Sequence, residues 1–191
     1  MIAALFAIAL QSADVPAAPA APGDGQMRVF DMLCNRLFPD DAQVEAAMAK
    51  LPGARALTAA ELRIYLKDDP GRGWDIPMTD GSRMIVTIEA PPYHACAVRV
   101  THTDGRVDER AWKRLLTAAE ARGGGGFVAV PVRSATFGNV RSEISGIQKQ
   151  RPEGGAEALY LFRTTPIDPV RHPNYGVELR MVRQLIVPAA R

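Results

Sequence analysis

His94, His102, His172, Cys34 and Cys96 are the residues of this chain best suited to chemistry. A histidine beside a carboxylate can act as a general base, and His94-x-Cys96 followed by His102 offers the ligand types of a zinc site. The metal reading fails on distance. Eight residues of extended chain separate His94 from His102, about 26 Å by strand rise, so one ion cannot join them. No metal and no other cofactor is expected. A serine hydrolase would need a nucleophile elbow, and no Gly-x-Ser-x-Gly is present. Gly123–Gly126 lacks a following Gly-Lys-Ser/Thr and closes a helical pattern instead of opening one, unlike a phosphate loop. Asp68, Asp69 and Asp75 surround Gly71 and Gly73 without the spacing or terminal Glu of a calcium loop. No catalytic residue is assigned. A hydrolase using His94 or His172 with a nearby carboxylate is the alternative to a non-enzymatic reading.

The elements that must position these residues follow from hydrophobic periodicity. Val29, Phe30, Leu33, Cys34, Leu37 and Phe38 fall on one face of a helix over residues 27–38. Asp40 begins a second helix that ends before Gly53, and Thr58-Ala-Ala-Glu61 spells a capping box for a short third. After Asp68 the period drops to two. Strands are expected around Trp74–Ile76, over 83–89 with a hairpin turn at Asp80–Gly81, and over 94–101. In that last strand Cys96, Val98 and Val100 share one face, while Ala95, Ala97, Arg99 and Thr101 share the other. Residues 108–122 return to helical spacing. Four more strands are expected over 127–132, 140–148, 158–163 and 178–187. Short turns favour antiparallel pairing. The fold class is therefore α+β, with N-terminal helices and one later helix packed on a curved, mainly antiparallel sheet.

Both cysteines lie on apolar faces, one of a helix and one of a central strand. If that helix covers that strand the thiols can pair; otherwise they are two buried reduced cysteines acting as small apolar residues. The compartment decides between these, and the N-terminus addresses it. Ile2–Leu10 is uncharged and apolar, and is followed by Gln11–Ser12–Ala13 and a Pro/Ala tract. That order reads as a signal peptide over 1–13 and a spacer over 14–26, ahead of a single α+β domain over 27–191. The usual basic residue of a signal n-region is missing, so the true start lies upstream of Met1 or the α-amino group supplies the charge. Nine apolar residues fall short of the ~20 that span a bilayer, so no stable membrane span remains after signal removal. In an oxidising compartment a Cys34–Cys96 disulfide is the expectation.

Formal net charge is only +2, too small a balance to argue for nucleic acid or a polybasic membrane contact. Trp74, Tyr93 and His94 lie beside turns at strand ends and form the candidate binding surface, with Trp74 as a core anchor the plainer reading of that residue. Arg180 and Arg183 have opposite strand parity and do not make one patch.

Phe30…Leu33–Cys34, Trp74 and Cys96–Ala97–Val98 together resemble small exported (lipo)proteins of unknown function of the alphaproteobacterial type. The likeness spans about residues 28–120. It implies secretion and a structural disulfide and no particular activity, and this chain has no lipidation cysteine. The combined expectation is an exported periplasmic protein, non-enzymatic, binding a protein or envelope component.

Overall fold

Helix α1 (Asp24–Phe30) continues without a break into a π-helical segment, Asp31–Leu37, which closes with Phe38 N–H donating to Leu33 C=O at 2.9 Å. The structure, a computed structural model, describes residues 24–78, 82–152, 154–171 and 176–187. The expected signal peptide, most of the spacer, the Asp80–Gly81 turn, His172 and the His102 side chain lie outside them. α1 starts inside the segment read as spacer because Gln26 has a buried role. Its side-chain amide donates to Val98 O at 3.1 Å and to Leu179 O at 2.9 Å.

Local signals place the next helices as expected. α2 (Asp41–Lys50) is capped by the Asp40 side chain, which accepts from Gln43 N–H. α3 (Ala59–Leu66) carries the full Thr58/Glu61 capping box. α4 (Glu109–Arg122) is capped by Asp108 and buries Trp112, Leu115 and Ala119. Among the described residues no helix is long and apolar enough to cross a membrane.

Among the described residues the sheet has eight strands: β1 (Arg55–Ala56), β2 (Gly71–Pro77), β3 (Arg83–Glu89), β4 (Tyr93–Thr103), β5 (Val128–Phe137), β6 (Val140–Gln150), β7 (Ala156–Pro166) and β8 (Val177–Ile186). Their spatial order is β1-β2-β3-β4-β8-β7-β6-β5, and every pairing is antiparallel. The molecule is α+β. β1, only two residues long, carries no periodic signal in the sequence. β5 is a largely exposed edge strand. Its register against β6 shifts between Val130 and Arg133, around Pro131, as suits a residue with no N–H to give a ladder.

Cross-strand register sorts side chains onto two faces. Val86, Val98 and Met181 lie in one row, and Ile88, Cys96 and Arg183 in the next. This face meets Phe30, Leu33, Cys34, Phe38, Val44 and Met48, with Trp112 and Leu115 of α4, in a single core. The expected disulfide is present: Cys34 and Cys96 are bonded at 2.02 Å with Cα atoms 5.3 Å apart. α3 stands over the opposite face. The chain reaches it by passing round the sheet edge through β1, where Leu57 N–H donates to Gly73 O. Gly71 and Gly73 allow its close approach. A Cβ on Gly71 would lie 2.5 Å from Leu66 Cδ1 and 2.3 Å from Ile88 O, and one on Gly73 would lie 2.7 Å from Leu57 Cδ1.

A polar chain of contacts ties α3 down. Arg55 donates to Glu61 (2.6 and 2.9 Å) and to the buried Asp75 (3.0 Å), which also accepts from Arg83 Nε at 3.0 Å. Hydrogen bonds from Arg55 and from Thr58 hold the Glu61 carboxyl at about 2, well below its usual 4.5. Because the folded value is depressed, the contribution of this group is complete above pH 4.5 and is lost as pH falls toward 2. Protection of the Ala59–Leu66 amides, taken relative to intrinsic exchange at each pH, should therefore fall selectively over that window. Glu61→Gln should show low protection already at neutral pH with little further loss in acid; a profile like that of the unaltered protein would assign the acid sensitivity elsewhere.

Candidate functional site

The three residues of the expected binding surface are not gathered into one platform. Trp74 is half-buried against the core, on the face occupied by Val86 and Val98. Tyr93 is 53% exposed at the start of β4. His94, its neighbour, points to the other face, as strand alternation requires. There its Nε2 lies 2.9 Å from Asp41 Oδ1 at the first turn of α2, and its ring meets Phe38 edge-on at 4.4 Å between centroids. His94 thus has the carboxylate partner a general base would need. The only cysteine on its strand, two residues on, is locked in the disulfide.

A more suggestive site lies on the α3 face of the sheet. Here β4 presents Ala95, Ala97 and Arg99, β8 presents Gln184, Val182 and Arg180, and β7 presents Tyr160 and Phe162. Small side chains at the centre leave a trough, and larger ones raise its sides. Tyr65 and Leu66 of α3 form one wall, Tyr160 and Phe162 the other, enclosing about 200 Å3. That is below the range of sites for drug-sized molecules.

The electrostatics of this groove are unusual. Arg99 and Arg180 are direct cross-strand partners, an arrangement of like charges that is unfavourable in itself. They turn to opposite walls: the Arg99 guanidinium sits 4.8 Å from the Tyr65 ring centroid and that of Arg180 4.2 Å from Phe162. Cation–π contact offsets part of the repulsion. Glu178 approaches Arg99 at 3.7 Å, an ion pair too long for a hydrogen bond. Arg180 Nε is buried without a hydrogen-bond partner. Burial, and then the charge of Arg99, pull the Arg180 guanidinium below its ordinary value, with Glu178 acting in the opposite sense. Glu89, at the far end of the groove, is raised by burial and then by Asp69.

Arg183, three residues along the same strand, shows what a structurally satisfied arginine looks like here. It faces the core, donates to Glu157 at 2.7 and 3.0 Å, and caps the carbonyls of Cys34, Asn35 and Phe38 at 3.3, 3.1 and 2.9 Å. Opposite parity gives the two arginines opposite surroundings. The sequence places Ala95, Ala97 and Arg99 together, but pairing of β4 with β8 is what brings Arg180 beside them, and no local pattern carries that register. Compared with models of known protein families, with curated proteins and with solved structures, the chain finds no match.

Proposed function

We propose that this chain is an exported, disulfide-stabilised periplasmic binding module that is not an enzyme and that takes its ligand in the groove between α3 and β7. The observation that carries the reading is the facing pair Arg99 and Arg180, largely withdrawn from water and without hydrogen-bonded carboxylates among the described residues. Holding two like charges side by side with only a long ion pair to Glu178 among the described residues costs folding free energy, which an anionic ligand can return. Curvature of the sheet toward α3 would deepen the trough. The buried disulfide supports an oxidising compartment, and the resemblance to small exported proteins points the same way. A periplasmic hydrolase built on His94 and Asp41 is the second reading, favoured by their 2.9 Å contact. Ester hydrolysis abolished by His94→Ala would select it.

The first test is the intact mass of the protein from the periplasmic fraction, with and without reductant and thiol alkylation. The expected result is loss of the first dozen or more residues and no alkylation until reduction. Recovery of a full-length chain with two freely alkylated thiols would overturn export.

A further inference from the structure

We infer that the groove binds a small monocarboxylic acid with an apolar or aromatic body, its carboxylate held between Arg99 and Arg180. The inference rests on the groove being the binding site and adds the class of ligand.

Charge and shape both lead there. Two guanidinium groups face each other across adjacent strands, and one carboxylate, Glu178, stands beside Arg99. The local excess is thus a single positive charge. A monoanion balances it. A dianion would meet repulsion from Glu178, and a second carboxylate further along would run into Glu89. The guanidinium carbons lie over the Tyr65 and Phe162 rings, and what these groups offer a ligand in the groove is N–H donors. Arginine edges match the flat, two-oxygen geometry of a carboxylate. Beyond the arginines the floor is Ala97 and Val182, with no charged side chain until Glu89. That stretch suits a hydrocarbon or ring, and about 200 Å3 limits its size.

The test is a titration of the oxidised full chain followed by two-dimensional amide NMR, with phenylacetate, its uncharged isostere phenylacetamide, and inorganic phosphate as probes. The expected result is saturable shifts confined to β4, β8 and α3 with phenylacetate. Affinity should fall about tenfold or more for phenylacetamide, and likewise in Arg180→Gln. Arg180→Lys, which keeps the charge but loses the fork, should fall between them. The amide comparison uses the unaltered protein, so misfolding of a variant cannot decide the outcome. Equal binding of acid and amide overturns the carboxylate inference and leaves the groove an apolar binding site. Phosphate binding with no phenylacetate response overturns the ligand class and keeps an anion site. No groove response to any probe overturns the inference together with the groove as binding site.

Discussion

Replacing both cysteines by alanine (Cys34→Ala/Cys96→Ala) is expected to lower stability by about 4 kcal/mol. The bond closes a loop of 62 residues, and chain entropy assigns a loop of that length roughly 4 kcal/mol. Domains of this size have on the order of 5–15 kcal/mol in total, so the change moves the protein a large part of the way to unfolding. The sulfurs are fully buried, and two alanines leave a small void between the π-helical segment and β4, which adds to the loss. Denaturant titration of the oxidised protein and the double variant measures it directly. The midpoint should drop with little change in native-state spectra. A difference under about 1 kcal/mol would mean that the unfolded chain is already constrained around these positions. In a reducing compartment the same penalty would fall on the native protein, which links fold stability to the exported location proposed above.

Much of this architecture is legible locally, and the exceptions share a cause. The Asp40 cap, the Thr58/Glu61 box and the Asp108 cap each depend on residues three or four apart, and each is present. Strand parity placed Cys96, Val98 and Val100 on one face, and their partners Ile88, Val86 and Met84 confirm a common core. Apolar faces leave two outcomes open for the cysteines, a disulfide or two buried thiols, and the export reading of the N-terminus selects the disulfide that the structure contains. What local pattern does not contain is which side of the sheet a helix takes. α3 lies opposite α1 because two glycines of β2 admit it and because Arg55 ties Glu61 of α3 to Asp75, twenty residues further along the chain. The continuation of α1 into π-helical geometry is equally invisible in the spacing of Asp31–Leu37. The groove is least legible of all. Its floor and walls need the registers of β4, β8 and β7 at once, and His94, the residue chemistry singles out first, is drawn to the other face by the same alternation.

The second large effect is expected at Arg183. Its side chain is 17% exposed and that of its partner Glu157 only 9%, so the pair is largely withdrawn from water. Arg183→Met should cost about 3 kcal/mol, toward the lower end for breaking a buried ion pair by removing one partner. Two losses contribute. Among the described residues, Glu157 is left buried with Lys149, 3.5 Å away, as its one remaining counter-charge. Three carbonyls at the end of the π-helical segment lose their donor and the positive charge that suits a helix C-terminus. Arg183→Met/Glu157→Gln should recover part of the cost, because the stranded carboxylate is gone while the carbonyls stay uncapped. Arg183 sits opposite Cys96 in register and binds the carbonyl of Cys34, so the guanidinium and the disulfide clamp the same segment to the same pair of strands. Their effects should therefore not add. With the disulfide broken, the segment can move away from β8 and the marginal cost of Arg183→Met should shrink. A four-way comparison of denaturation midpoints reads this directly, and strict additivity would mean that the two clamps hold the segment independently.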